Sequence, residues 1–335
     1  MQLVPFGTDV AGVGRRTHLG ALVSATKVVD LHAAAVAASV HAGLPVRSAE
    51  RIAGGLVPVD VASFVENGER GLDEARRALA WWDDAGDSTG PSGAQLAYQL
   101  ADVVRLPAVL EPSLIRDFMA FEQHLLNIFP KLGREIPPAW YEIPVYYKGN
   151  PSAVGAHLQP IVIPDYAGDE LDFEFEIAAV IGRGGRDIGE DAALGHIYGY
   201  TIYDDFSARA MQTKEMSVGL GPAKGKDFDG AHVLGPVLVT ADEIPDPYDL
   251  AMTATVNDEA WTTGSTGAMH WRFEQMIAHA SRSETLRPAE VFGSGTVGGG
   301  SAAEVGRTLH AGDVVELTVD RLGTLRNTVV AGPTR

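Results

Sequence analysis

The stretch Leu-Asp-Phe-Glu-Phe-Glu-Ile, residues 171–177, alternates acidic with apolar side chains. Side chains of a β-strand point alternately to opposite faces, so Glu174 and Glu176 share one face and the apolar residues share the other. Two neighbouring carboxylates repel each other unless a cation lies between them, and Mg²⁺ prefers such oxygen ligands. Taken alone, the segment favours an edge strand with one solvated acidic face. The alternative is half of a metal site.

The composition excludes several classes of protein. The 335 residues include 26 Lys and Arg against 44 Asp and Glu, a net charge of −18, which disfavours nucleic acid and anionic membranes as partners. There is no cysteine, so disulfides, thiolate metal sites and a cysteine nucleophile are excluded. The amino terminus lacks signal-peptide features and no apolar run is long enough to span a bilayer. We therefore expect a cytoplasmic protein.

The length and the change of pattern along the chain predict two domains, residues 1–108 and 109–335. The first is a small α/β domain with strand-like runs at 2–6 and 18–22. Its helical patterns cover residues 28–40, 46–65 and 71–84. Its histidines are expected to be packing or surface residues.

The second domain is dominated by short strand patterns separated by Gly- and Pro-rich turns. They cover residues 145–148, 161–163, 172–182, 198–204, 233–240, 251–256 and 314–319, and residues 314–320 and 324–330 form a predicted hairpin. Helical patterns cover residues 190–197 and 271–282. This order predicts an α+β fold with a rolled, mixed β-sheet rather than a doubly wound one.

Three other segments contain candidate partners for the two glutamates. A helix predicted over residues 111–127 places Asp117 and His124 seven residues apart on one face, which suits a ligand and a base. An amphipathic helix with a polar stripe is the alternative. Asp205 ends a strand-like run, where it suits a pocket mouth or a helix cap. Lys226 lies in a Gly-rich segment, where it suits stabilisation of an enolate or an exposed basic turn.

These segments, taken in order, resemble the fumarylacetoacetate hydrolase family. The resemblance is carried by Asp117 with His124, Tyr147-Lys-Gly-Asn-Pro-Ser-Ala-Val154, Leu171-Asp-Phe-Glu-Phe-Glu176, Asp205-Phe-Ser-Ala-Arg209 with Gln212, Gly225-Lys226-Asp-Phe and Gly293-Ser-Gly-Thr296. It covers residues 111–330 strongly and the amino-terminal domain more loosely. It implies a mixed β-roll, a divalent cation, Mg²⁺ or else Ca²⁺ or Mn²⁺, and a homodimer.

The resemblance also implies roles for individual residues. The implied metal ligands are Asp117, Glu174, Glu176 and Asp205. His124 corresponds to the general base, and Lys226 and Gln212 to further catalytic positions. Tyr147, Thr296 and Arg209 correspond to substrate-contacting positions. The acid that orients His124 is either Glu122 or Glu304.

The implied function is metal-dependent hydrolysis of a carbon–carbon bond in a β-diketone or acylpyruvate. The cation would polarise a chelated carbonyl, and His124 would activate water. The alternative is decarboxylation, tautomerisation or hydration of a 2-oxo acid by the same enolate chemistry. A third interpretation is a binding protein that has lost activity, against which intact His124 and Lys226 argue.

Overall fold

The computed structural model describes residues 1–10, 14–86, 89–168 and 170–332. The strands are β1 Gln2–Val10, β2 Gly14–Ser24, β3 Lys27–Asp30, β4 Ala97–Gln99, β5 Val104–Arg105, β6 Leu114–Phe118, β7 Tyr146–Gly149, β8 Val154–Gly155, β9 Ile161–Val162, β10 Leu171–Asp172, β11 Phe175–Ile181, β12 Gly185–Arg186, β13 Ile197–Asp205, β14 Ser207–Ala208, β15 His232–Thr240, β16 Ala251–Val256, β17 Glu259–Ser265, β18 Thr285–Leu286, β19 Glu290–Gly293, β20 Val314–Val319 and β21 Gly323–Val330. The helices are α1 Leu31–His41, α2 Val46–Leu56, α3 Val61–Glu66, α4 Gly68–Ala85, α5 Glu122–Ile128, α6 Glu190–Ala193, α7 Arg209–Met216 and α8 Phe273–Ser281.

A twelve-stranded mixed sheet organises the chain. Its strand order is β4-β3-β2-β1-β15-β13-β11-β19-β6-β7, with β5 paired to β1 and β8 paired to β15. Most neighbours are antiparallel, while β6 runs parallel to β19 and β8 parallel to β15. A second sheet of five strands has the order β17-β16-β20-β21-β9 and contains the predicted hairpin β20–β21. The predicted α+β class with a rolled mixed sheet is confirmed.

Two cores cover the two faces of the large sheet. The apolar side chains of the acidic segment, among them Phe175 and Ile177, pack with residues of the five-stranded sheet such as Leu317. On the opposite face, Val180 packs with residues of the amino-terminal helices such as Phe64. Both faces of β11 are therefore buried, which places Glu176 inside the protein, and Glu174, directly before the strand, is buried as well.

The acidic segment is not an edge strand. Strand β11 lies between β13 and β19, with Phe175 opposite Asp204 and Ala178 opposite Gly293. Glu174 is 7% exposed and Glu176 is fully buried. The interpretation as a solvated acidic face was wrong, because elements distant in sequence pack on a face that local alternation cannot distinguish from an exposed one.

The helix predicted over residues 111–127 was also wrong. Residues Leu114–Phe118 form β6, which pairs in parallel with β19 and antiparallel with β7. Only Glu122–Ile128 are helical. Hydrogen bonds to strands distant in sequence outweigh a helical pattern. Asp117 and His124 therefore do not share one helix face, although both reach the same region.

The amino-terminal segment extends the large sheet, since β1 pairs with β15. The helix predicted over residues 28–40 begins only at Leu31, after β3. Asp30 caps it by accepting a hydrogen bond from the backbone N–H of Ala33. The domain boundary near residue 108 stays a prediction. Within the described residues, no helix combines the length and apolar character that a membrane crossing needs.

Candidate metal centre

Three buried carboxylates converge from three strands of the large sheet. Asp117 comes from β6, Glu176 from β11 and Asp205 from the end of β13. One ligand oxygen from each lies within 4.8 Å of the others. Three of the four residues predicted as ligands are thus brought together, and their binding of a metal stays a prediction.

Strand β19, between β11 and β6, leaves room for this cluster through a glycine. A Cβ atom at Gly293 would lie 2.9 Å from Glu176 Oε2 and 2.7 Å from the ring of Tyr203. The next turn contributes the backbone N–H of Gly295, which donates to Glu176 Oε2 at 2.7 Å. The Gly-rich segment that begins at residue 293 therefore shapes the acid cluster.

The cluster has the properties of a divalent-cation site. Asp117 Oδ1 and Glu176 Oε1 are buried and have no hydrogen-bond partner among the described residues. Burial, reinforced by repulsion from the neighbouring carboxylates, raises the pKa of both groups well above the usual range. A hard divalent cation would satisfy both oxygens and remove the repulsion, so the residues fit Mg²⁺, Mn²⁺ or Ca²⁺.

Glu174, the fourth predicted ligand, is engaged by two cationic side chains. Its Oε2 accepts from Lys226 Nζ at 2.5 Å and its Oε1 from Arg209 Nη2 at 2.8 Å. Burial opposes its ionisation, but Arg209 and Lys226, with His124 a smaller contributor, hold the pKa of Glu174 at about 2. It is an anion beside the cluster, and its role as a metal ligand stays a prediction.

Lys226 also links Glu174 to the carboxylate cluster. Its ammonium donates to Asp205 Oδ2, which accepts a second hydrogen bond from the Tyr147 hydroxyl at 2.6 Å. The Nδ1 atom of His232 lies 3.0 Å from the other oxygen, Oδ1. Burial opposes ionisation of Asp205, yet Lys226 and His232 hold its pKa well below the usual range. Asp205 is therefore the most firmly anchored carboxylate of the three.

His124 lies at the start of α5 and has the partner that the sequence left open. Its Nδ1 contacts Glu304 Oε1 at 2.7 Å. Glu304 Oε2 accepts from the Asn127 side chain and from the Gly299 N–H, each at 2.7 Å. Glu304 rather than Glu122 orients the imidazole. Because Glu304 binds Nδ1 and no described residue hydrogen-bonds Nε2, the latter is the nitrogen available for proton transfer.

The remaining predicted residues surround this centre. Gln212 accepts at its Oε1 from Arg209 Nη1 at 2.9 Å. Thr296 is 4% exposed and follows the turn that contacts Glu176. Tyr147 contacts Asp205 directly. The substrate contacts predicted for Tyr147, Thr296 and Arg209 stay predictions.

Two residues around the centre escaped the sequence analysis. His232 begins β15 opposite Asp205 and is buried. Asp172 accepts from Arg209 Nε at 2.8 Å and from the N–H of Ala302 at 2.6 Å. Neither has a distinctive sequence signal, except that Asp172 belongs to the acidic segment itself.

This arrangement agrees with a family assignment from sequence. Residues 113–330 match the family model described as the fumarylacetoacetate (FAA) hydrolase C-terminal domain. The chain belongs to the fumarylacetoacetate hydrolase family. All ten residues predicted for the site lie within the matched segment.

The names of similar proteins describe different reactions. Over 276 residues the chain is 34% identical to the mitochondrial oxaloacetate tautomerase fahd2 of Xenopus laevis, covering 82% of this chain and 79% of that protein. It is 27% identical to the oxaloacetate tautomerase YisK of Bacillus subtilis (strain 168), covering 82% and 87%. The crystal structure of maleylpyruvate hydrolase from Sphingobium sp. SYK-6, in complex with manganese(II) ion and pyruvate, shares the fold. It has a TM-score of 0.69 and 21% identity, covering 99% of this chain and 100% of that chain.

Proposed function

We propose that the protein is a divalent-cation-dependent enzyme that interconverts the keto and enol forms of a small 2-oxo acid, oxaloacetate foremost. The observation that carries this proposal is a buried three-carboxylate cluster together with the imidazole of His124, which a second acid, Glu304, holds and which helps to lower the pKa of Glu174. The two named tautomerases among the relatives support the same reaction. Tautomerisation needs a polarised carbonyl and one base; a cation at the cluster would polarise the carbonyl, and His124 would be the base.

The protein's own residues account for the proton transfer. Asp117, Glu176 and Asp205 would hold the cation, which supplies Lewis-acid polarisation of the substrate carbonyl. His124 Nε2 takes the proton from the carbon next to the carbonyl and returns it to the carbonyl oxygen, so that no atom is gained or lost. Glu304 stabilises the imidazolium that forms between these steps. Lys226 places a positive charge beside the oxygen on which negative charge develops.

Hydrolysis of a carbon–carbon bond in an acylpyruvate is the second candidate. The observation that favours it is the anchoring of Glu304 by Asn127 and Gly299, which keeps His124 oriented to activate water. The two reactions share the cation site and the base. They differ in whether His124 takes its proton from the substrate carbon or from water.

A direct assay separates the two reactions. The protein is incubated with Mg²⁺ or Mn²⁺ and enol-oxaloacetate, and loss of the enol absorbance is compared with the uncatalysed rate. A parallel reaction with acylpyruvates in ¹⁸O-labelled water is analysed for label in a carboxylate product. Rapid enol loss without labelled product supports tautomerisation, and labelled product supports hydrolysis. The absence of both activities in the metal-loaded protein would rule the proposal out.

Two further properties are proposed with this function. We expect a homodimer in the cytoplasm, acting on a small-molecule oxo acid or diketone. Light scattering coupled to size-exclusion chromatography tests the first, and cell fractionation tests the second. A monomer at micromolar concentration would contradict the proposed assembly.

A further inference from the structure

We infer that Asp172 is a positioning residue that joins the acidic segment, residues 171–177, to the general base His124 and its orienting acid Glu304. Asp172 ends β10, two residues before Glu174, and is 2% exposed. It neither contacts His124 nor belongs to the carboxylate cluster. Its action would pass through a short turn, residues 301–304, which carries Glu304.

The first half of the argument concerns that turn. Asp172 Oδ1 accepts from the N–H of Ala302 at 2.6 Å, and Oδ2 accepts from the N–H of Ala303 at 3.2 Å. Glu304 is the next residue in the chain. Two backbone hydrogen bonds to one buried carboxylate thus fix the peptide units that lead directly into the residue holding His124.

The second half concerns Arg209. Its Nε donates to Asp172 Oδ2 at 2.8 Å, and its Nη2 donates to Glu174 Oε1 at 2.8 Å. The same guanidinium therefore ties Asp172 to the anion beside the cation site. Charge-assisted hydrogen bonds of this kind are short and directional, so a shift of Asp172 moves both Arg209 and Glu174.

Together these contacts make Asp172 the shared anchor of two catalytic elements that come from distant parts of the chain. Strand β11 carries one acid of the cluster, Glu176, and the turn 301–304 carries the orienting acid. A shift of about 1 Å in a catalytic group costs ~10²-fold in rate. An anchor that holds both elements in register is therefore a determinant of the rate, although it touches no substrate.

The variant Asp172→Asn tests this inference. It keeps the side-chain shape but replaces one acceptor oxygen with an amide that faces N–H donors. We expect kcat for enol-oxaloacetate to fall by about 10-fold to 100-fold. The double variant Asp172→Asn/Glu304→Gln should lose less than the product of the two single losses, because both residues act in part through His124. Losses that multiply, or an unchanged kcat, would overturn the inference.

The matched control is Asp30→Asn. Asp30 is 4% exposed, accepts a backbone N–H from Ala33 and contacts His18 Nδ1 at 2.6 Å. It thus resembles Asp172 in residue type, burial and partners but lies in the amino-terminal segment. Asp30→Asn should leave kcat within about twofold of the wild type. If Asp30→Asn lost as much kcat as Asp172→Asn at equal thermal stability, destabilisation would explain both losses. That result would overturn the inference.

A second readout is independent of turnover, since the kinetic arm rests on the proposed function. Nitrogen-15 NMR of the metal-free protein should show His124 protonated on Nδ1 in the wild type and in Asp30→Asn. In Asp172→Asn the spectrum should show a mixture of His124 tautomers, protonated on Nδ1 or on Nε2. An unchanged signal would overturn the inference. If Asp172→Asn does not fold, Asp172→Thr, which retains one acceptor oxygen, takes its place with the same expectations. An inactive wild type would exclude the proposed function and leave the NMR outcome to decide on Asp172.

Discussion

The Nδ1 atom of His124 lies 2.7 Å from Oε1 of Glu304, although 180 residues separate the two in the chain. The contact joins helix α5 to the turn that follows the Gly-rich segment. It leaves Nε2 as the nitrogen that can exchange a proton with a substrate. The chemistry proposed for the site depends on this pair and on the carboxylate cluster.

Removing the charge of Glu304 should slow the reaction and leave cation binding intact. Glu304→Gln cannot stabilise an imidazolium, so kcat should fall by about 10²-fold, within the range that a positioned base contributes. The Mn²⁺ dissociation constant should stay within about threefold of the wild type. Glu122→Gln, which removes the acid paired with the exposed Tyr141, is the control and should be active. Full activity of Glu304→Gln would contradict the assignment.

Removing the ammonium of Lys226 should separate catalysis from cation binding. Lys226 contacts both Glu174 and Asp205, so Lys226→Met removes a positive charge that competes with the cation. Mn²⁺ should therefore bind at least as tightly, while kcat falls by about 10²-fold as one electrostatic donor is lost. Lys148→Met, on the neighbouring exposed surface, should change neither. Weaker Mn²⁺ binding with unchanged kcat is the opposite pattern and would refute this role.

The metal-free protein should lose stability as the pH rises above the ordinary carboxyl range, about pH 4. Burial and mutual repulsion raise the pKa of Asp117 and Glu176 in the folded chain. The folded chain then binds more protons than the unfolded chain, so the free energy of unfolding falls as pH rises through the folded pKa values.

The comparison is thermal unfolding between about pH 5 and 8, with a chelator and with Mn²⁺, which should flatten the slope. Burial also raises the pKa of Asp204, but this group contributes in both conditions. If the melting temperature changes equally with pH with and without Mn²⁺, cation binding does not displace protons from the cluster.

Gly293→Ala should damage the cation site through space alone. The added Cβ would meet Tyr203 at 2.7 Å and Glu176 Oε2 at 2.9 Å, so both side chains, or the strand that carries residue 293, must shift. Overpacking of this kind costs about 1–3 kcal/mol of unfolding free energy, and Mn²⁺ affinity should fall with it. At Gly195 a Cβ would meet nothing within 4 Å, so Gly195→Ala is the matched control. Equal stability and affinity in both variants would contradict the steric account.

The sequence could predict the residues whose placement depends on local periodicity. Glu176 lies on a strand that its own alternation indicated, although Glu174 precedes that strand, and Asp205 ends a strand that its own pattern indicated. The position of Asp117 was predicted on a helix and lies on a strand, because its parallel partner β19 is about 175 residues away. Long-range pairing of this kind leaves no mark in the local pattern.

The orienting acid shows the same limit. Glu122 and Glu304 were both candidates, and only the folded turn decides for Glu304. Asp172 resembled any polar residue of the acidic segment, since its backbone partners Ala302 and Ala303 carry no side-chain signal. Hydrogen bonds from the main chain are invisible in a sequence.

The central claim is that Asp117, Glu176 and Asp205 hold a divalent cation that binds a 2-oxo acid in front of His124. The most direct test is an anomalous-scattering map at the manganese edge from a crystal soaked with Mn²⁺ and oxalate. The account predicts one strong peak among the three carboxylates, with oxalate on the side that faces His124, and no peak in Glu176→Gln. A manganese peak elsewhere, or no peak at the cluster in the wild type, would contradict it.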